Sequence, residues 1–252
     1  MSQNTILVTG ATAGFGAAFA RRFVADGHRV IATGRRLERL ESLAAELGPN
    51  LLPAVLDVTN HEAVANFLTT IPQAWREIDV LINNAGLALG LSPAWTADLA
   101  HWDQMIATNI SGLVHVTRAI LPGMVERNCG TIINIGSVAG TYPYPGGHVY
   151  GSTKSFVSHF SLNLRADLLG KNIRVTSLEP GLVGGSEFSN VRFEGDATRA
   201  AAVYAGTQTL TPEDMAETAA WIISLPAHVN INRIEVMPIA QASAALSVSR
   251  AT

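Results

Sequence analysis

Tyr150 and Lys154 stand four residues apart, a spacing that sets two side chains on one side of a helix and an ammonium beside a phenol. A free phenol has a pKa near 10, and bringing it toward neutrality, by about 3 units or ~4 kcal/mol, takes a nearby positive charge that favours phenolate. Lys154 supplies part of it. The chain has only two lysines, Lys154 and Lys171, so lysine abundance does not explain the pairing. Taken alone, Tyr-x-x-x-Lys also reads as a surface helix pair worth a few tenths of a kcal/mol. Ser137 closes the apolar run Thr131 to Ile135, where a strand's carboxyl end would collect ligands, and a serine there equally serves as a turn cap. Together the three groups suit proton exchange with, and hydrogen bonding to, an oxygen on which charge develops.

A second constellation suits phosphate. Thr9-Gly10-Ala11-Thr12-Ala13-Gly14-Phe15-Gly16 follows the first apolar run and leads into a helix marked by Phe15, Phe19 and Phe23. Small residues let the backbone approach a pyrophosphate, and a helix N-terminus offers it unpaired N–H groups. The glycines at 10, 14 and 16 do not fit G-x-G-x-x-G, and a tight packing turn is the other reading. Past the glycines an NAD site carries a carboxylate for the ribose 2′-hydroxyl. Here Thr33-Gly34-Arg35-Arg36 ends the second strand and offers two guanidiniums, which suit a 2′-phosphate. NADP(H) is therefore expected over NAD, against the alternative of a solvated helix start with Glu38, Arg39 and Glu41.

The elements that must position these groups are legible as alternation. Seven β-type runs (6–8, 30–33, 51–56, 80–82, 131–135, 175–178 and 234–237) are separated by helix-periodic segments, among them Phe156, Phe160, Leu164 and Leu168 at intervals of four. Strand and helix in regular order predict an α/β, Rossmann-like, doubly wound parallel sheet of seven strands with helices on both faces. No linker tract divides the chain, so residues 1–252 are expected as one domain, with an irregular substrate loop around 181–211 in the place of a lid. Seventeen Lys+Arg against 20 Asp+Glu, with pI near 6.1, give no broad basic face for nucleic acid or an anionic membrane. No apolar span of about 20 residues predicts a membrane crossing, and no leader-like segment is read at the start, so the cytoplasm is expected. A lone Cys129 heading an apolar run is expected as a small buried hydrophobe in a reducing compartment. Seven scattered histidines, without metal-ligand spacing, predict no metal site.

T-G-x-x-x-G-x-G resembles the opening of the short-chain dehydrogenases/reductases, and the resemblance runs along essentially the whole chain. It is carried further by Asp57-Val58, Asn83-Asn84-Ala85-Gly86, Asn109, Ser137, Tyr150 with Lys154, and Pro180-Gly181. The resemblance implies an NADP-dependent oxidoreductase. Asn109, Ser137, Tyr150 and Lys154 would be catalytic: Ser137 bonds the substrate oxygen, Tyr150 exchanges its proton, Lys154 binds ribose and tunes Tyr150, and Asn109 holds a relay water. Gly10, Thr12, Gly14, Phe15, Gly16, Arg35, Arg36, Asp57, Val58, Asn84, Ala85, Gly86, Tyr150, Lys154, Pro180, Gly181 and Val183 would bind coenzyme.

The segments Tyr142 to Gly151, Glu179 to Phe193 and Leu225 to Asn232 resemble the 3-hydroxy acid dehydrogenase branch. That implies a short anionic hydroxy acid or aldehyde of the malonic semialdehyde type. Sulfoacetaldehyde reduction to isethionate is the rival. Such a substrate needs a cation or several donors, for which Arg192 is the candidate, with Ser137, Tyr144, His148 and Tyr150 also lining the substrate; Arg192 paired with Glu194 or Asp196 is the alternative. The resemblance further implies a homotetramer or dimer, and the apolar tail 238–248 would cover a neighbour or its own pocket. The competing classes are a non-catalytic NADP-binding sensor, against which the complete catalytic set speaks, and a structural oligomer subunit.

Overall fold

The computed structural model describes residues 3–243. The chain alternates β1 (Thr5–Val8), α1 (Gly14–Ala25), β2 (Arg29–Gly34), α2 (Leu37–Leu47), β3 (Leu51–Val55), α3 (His61–Thr70) and β4 (Val80–Asn83). It continues through α4 (Leu99–Ile106), α5 (Leu113–Arg127), β5 (Gly130–Ile135), α6 (His148–Asp167) and β6 (Ile173–Pro180). The last part holds α7 (Phe188–Arg192), α8 (Ala197–Ala202), α9 (Pro212–Ser224) and β7 (Arg233–Val236). All seven expected strands form, in one parallel sheet ordered β3-β2-β1-β4-β5-β6-β7.

Side chains alternate across the strands, so the central ones feed two cores. Ile6 and Val8 of β1 join Val30, Ala32, Ile82 and Ile133 beneath Phe19, Phe23, Leu40 and Met215 of α1, α2 and α9. Leu7 joins Ile31, Leu81, Ile132 and Val175 beneath Phe67, Val116, Ile120 and Leu164 of α3, α5 and α6. Phe19 and Phe23 are fully buried with rings 6.3 Å apart, as the phenylalanine spacing predicts. A Thr211/Asp214 capping box with Pro212 opens α9.

The order reverses between β1 and β4, and the carboxyl ends of β1, β4, β5 and β6 border a crevice there. Between α4 and α5 the helix widens into a π-turn over Ala107–Gly112, which carries Asn109 inward.

Three expectations change. Cys129 is exposed, because it sits on the turn after the left-handed Asn128 and before β5 begins. Phe156 lies on the open flank of α6, stacked on Phe160 at 5.8 Å, while Val157 takes the buried position. The 181–211 segment is more regular than expected, since it contains α7 and α8. The tail 238–248 runs outside the described residues from 244 onward. Among the described residues no helix is long and apolar enough to cross a membrane.

Gly16 marks where the fold is tightest: a Cβ there would lie 2.7 Å from Ala11 Cα and against the Gly10 carbonyl. Gly16→Ala is expected to lower the unfolding free energy by about 1–3 kcal/mol in a denaturant titration. An unchanged midpoint would mean that the turn yields freely.

Candidate active site

A cleft of about 790 Å³ opens along the carboxyl edge of the sheet. One end is the glycine turn. Gly10 has φ +68°, and a Cβ there would press on Ala85 at 3.0 Å, so β1 and β4 leave the sheet in contact. Thr9 and Asn84 fasten them. Thr9 Oγ1 accepts from the Asn84 and Ala85 amides at 3.0 and 2.9 Å, and Asn84 Nδ2 donates to the Thr9 and Gly10 carbonyls at 2.8 and 3.1 Å. Helix α1 starts at Ala13 with no side-chain cap and no acidic residue in its first turn, so its amides stay available to an anion. Gly10, Thr12, Gly14, Phe15, Asp57, Val58, Asn84, Ala85 and Gly86 all line the cleft; Gly16 packs behind the turn. Asp57 also accepts from Thr59 N and Oγ1 at 3.0 and 2.8 Å.

The arginine pair is asymmetric. Arg35 lines the cleft and is exposed. Arg36 lines it too, donating from Nε and Nη2 to Thr12 Oγ1 at 3.2 and 2.7 Å and from Nη1 to Glu187 at 3.0 Å. At the other end, Leu182 and Gly184 pair through their carbonyl and amide with Leu210 at 3.1 and 2.9 Å. In such a bridge the intervening Val183 turns its own N–H and C=O the opposite way, a donor and an acceptor together as a carboxamide requires. An uncapped helix start, two guanidiniums and this pair, spread along one cleft, fit a dinucleotide.

The catalytic candidates meet at mid-cleft. Tyr150 and Lys154 project from α6 and are only 8% and 7% exposed. Lys154 Nζ donates to the Ile135 carbonyl at 2.8 Å and lies 5.9 Å from the Tyr150 ring centre. Ser137 leaves β5 extended and accepts from Ala139 N at 3.1 Å, capping the short helix Val138–Gly140. Its hydroxyl donates toward the Pro180 carbonyl at 3.5 Å, and its nearness to Tyr150 favours the phenolate. The capping reading of Ser137 therefore holds. A Cβ on Gly140 would meet the α6 backbone at 2.8 Å, so this packing sets the distance between Ser137 and Tyr150.

Asn109 accepts from Leu87 N at 2.9 Å and donates to Leu87 O at 2.8 Å and to Thr153 Oγ1 at 3.0 Å. Its amide pins the loop after β4.

Without coenzyme, the electrostatics of the cleft raise the Tyr150 pKa. Burial pushes the Tyr150 phenol up to about 12; the nearby Ser137 hydroxyl and the Arg192 guanidinium oppose this without prevailing. Burial also pushes Lys154 down to about 8, with Glu179 pulling the other way. With protein groups alone, desolvation prevails, and Tyr150 keeps its proton at neutral pH.

Arg192 reaches the cleft from α7. It donates to Tyr144 Oη at 2.7 Å and toward the Gly90 carbonyl at 3.4 Å, and stands 5.5 Å from the Tyr150 ring centre. No carboxylate pairs with it among the described residues: Glu194 approaches His101 at 3.6 Å and Asp196 caps α8. His148 departs from expectation. Its Nδ1 accepts from Val149 N, so Nε2 carries the proton and donates to the Ser92 carbonyl at 3.0 Å. The ring faces a separate cavity of about 700 Å³ and not the cleft. Thr153 and Glu187 went unmarked in the sequence, since their side-chain partners Asn109, Arg36 and Arg39 lie 44, 151 and 148 residues away.

Residues 4–196 match the family model for short chain dehydrogenase. The chain belongs to the short-chain dehydrogenase family. It is 60% identical over 245 residues to NADP-dependent 3-hydroxy acid dehydrogenase YdfG of Escherichia coli (strain K12), covering 97% of this chain and 99% of that one. It is 50% identical to serine 3-dehydrogenase of Rhizobium radiobacter, covering 98% and 99%. The closed form of a serine dehydrogenase complexed with NADP+ superposes with a TM-score of 0.97 at 60% identity, covering 98% of this chain and all of that one.

The lysine gives a stability test. Its pKa is 10.5 when free and about 8 in the fold, so the unfolded chain holds the proton more tightly and burial costs stability. That cost is full below about pH 8 and gone above about pH 10.5. Lys154→Met, which also leaves the Ile135 carbonyl without its donor, is expected to stabilise the fold at pH 7 by about 1–2 kcal/mol, the gain fading toward pH 10. Equal destabilisation at both pH values in thermal unfolding would contradict this.

Proposed function

We propose that this chain is an NADP(H)-dependent oxidoreductase that interconverts a short anionic 3-hydroxy acid and its aldehyde or ketone, of the malonic semialdehyde type. The observation that carries the substrate class is Arg192, a guanidinium without a carboxylate partner among the described residues, aimed over the ring of the phenol that would exchange the proton. The names of the relatives, 3-hydroxy acid dehydrogenase and serine 3-dehydrogenase, support the same class of substrate, and their NADP dependence supports the coenzyme.

Arg35 and Arg36 would hold the 2′-phosphate, the start of α1 the pyrophosphate, Lys154 the ribose, and the Val183 backbone the carboxamide. Bound coenzyme supplies or accepts a hydride at the nicotinamide ring. Ser137 donates a hydrogen bond to the substrate oxygen. Tyr150 gives that oxygen a proton as carbonyl becomes alcohol, and burial keeps the proton available at neutral pH. Lys154, one turn along α6, places positive charge near the phenol and stabilises it once the proton has left. Arg192 and Tyr144 grip the carboxylate and fix the reacting carbon.

Sulfoacetaldehyde remains the rival substrate, but His148, expected to line the substrate, bonds the Ser92 carbonyl and borders a cavity other than the cleft. A sensor without turnover would gain nothing from a buried phenol and ammonium that cost stability. A cytoplasmic dimer or tetramer belongs to the same proposal, with Trp95 and Leu99, 85% and 66% exposed, as groups a neighbour would cover.

The test is a steady-state assay of malonic semialdehyde, sulfoacetaldehyde and propanal with NADPH. Arg192→Ala is expected to lower kcat/KM for malonic semialdehyde roughly 10- to 150-fold, the worth of a charged hydrogen bond, and to leave propanal nearly unchanged. Equal losses on both would remove Arg192 as the anion clamp, and no turnover of any acid aldehyde by the wild type would remove the substrate class.

A further inference from the structure

One carboxylate joins the segment after β6 to the basic end of the cleft. Glu187 sits just before α7, and its two oxygens are divided between two arginines 151 and 148 residues away. Oε2 accepts from Arg36 Nη1 at 3.0 Å and Oε1 from Arg39 Nη1 at 2.7 Å. Arg36 in turn holds Thr12 in the glycine turn. The contact therefore runs from the turn, through Arg36, to the lid and back to α2 through Arg39.

Beside it the backbone closes as well: a Cβ on Gly14 would stand 3.1 Å from Ser186 Cβ. Gly10, Thr12 and Gly14 line the cleft from one wall and Ser186, Glu187 and Phe188 from the other. A dinucleotide laid along that cleft passes beneath a strap tied by Glu187.

We propose that Glu187 is the latch of this lid: its carboxylate, shared between Arg36 and Arg39, must let go for a dinucleotide to enter or leave. This rests on the reading of the cleft as the coenzyme site and adds a positioning residue to it. The arginines hold the Glu187 carboxyl below the usual carboxylate range, so the latch stays charged at neutral pH. The three side chains are 40%, 41% and 44% exposed, so each ion pair is individually weak and screened by salt, as a catch that opens in every cycle must be. Arg35 is not engaged by Glu187 and stays on the cleft wall for the 2′-phosphate.

The experiment compares wild type with Glu187→Gln and with Arg39→Ala, a residue outside the cleft lining. Stopped-flow fluorescence follows NADPH and NADH binding and release, and hydrogen exchange follows residues 186–193 without coenzyme. Both variants are expected to bind and release either coenzyme about three- to tenfold faster, with Kd shifted less than about twofold, and to exchange faster across 186–193. Unchanged rates and unchanged exchange would overturn the latch. So would a lower Kd for NADPH alone with its release rate unaltered, since Glu187 would then be only a competitor of the 2′-phosphate for Arg36. If the wild type binds neither coenzyme, the coenzyme reading fails by itself, and the exchange data still decide whether Glu187 ties the lid.

Discussion

A phenol and an ammonium held out of water, one helical turn apart, set the terms for the rest of this structure. Tyr150 and Lys154 are each more than nine-tenths buried, and a single backbone carbonyl, that of Ile135, is the recorded hydrogen-bond partner of the lysine. Holding them there requires α6 to lie against the end of β5, a contact that Gly140 permits by presenting no side chain. Two large apolar layers on either face of the sheet offset what the buried charge costs. Desolvation then does chemical work: it keeps the proton on the phenol over the pH range in which a carbonyl oxygen would need it.

Charge is distributed by position. The chain is net acidic, yet its cleft has guanidiniums at two places, Arg35 and Arg36 beside the glycine turn and Arg192 over the Tyr150 ring at mid-cleft. Each is matched differently. Arg36 is balanced by the Glu187 carboxylate, whereas Arg192 is held by a phenol and a carbonyl that leave its charge uncancelled. On the proposed reading, an anionic dinucleotide and a small anionic substrate would find separate cations in one crevice, Arg35 and Arg36 for the one and Arg192 for the other.

The sheet was legible because fully buried parallel strands must be continuous apolar runs, and all seven runs became strands within two residues of where they were read. The glycine turn and the Tyr150–Lys154 spacing were equally readable, since each depends on neighbours in the chain. What failed depended on contacts made at long range. His148 was drawn from the cleft by the Ser92 carbonyl, 56 residues away. Phe156 matched the helical period yet fell on the open flank of α6, and Cys129 stood one residue short of its strand. Glu187 carried no local signal at all, because both its partners lie at the other end of the sheet.

The most direct measurement is the titration of Tyr150 itself, by NMR of protein labelled with 13C at tyrosine Cζ, using Tyr150→Phe to assign the resonance among the four tyrosines. A phenol governed by burial should remain protonated in the coenzyme-free protein until the pH nears 12, and should titrate lower when NADP+ brings positive charge into the cleft. A Tyr150 that titrates at or below the ordinary value near 10 in the free protein would contradict the account.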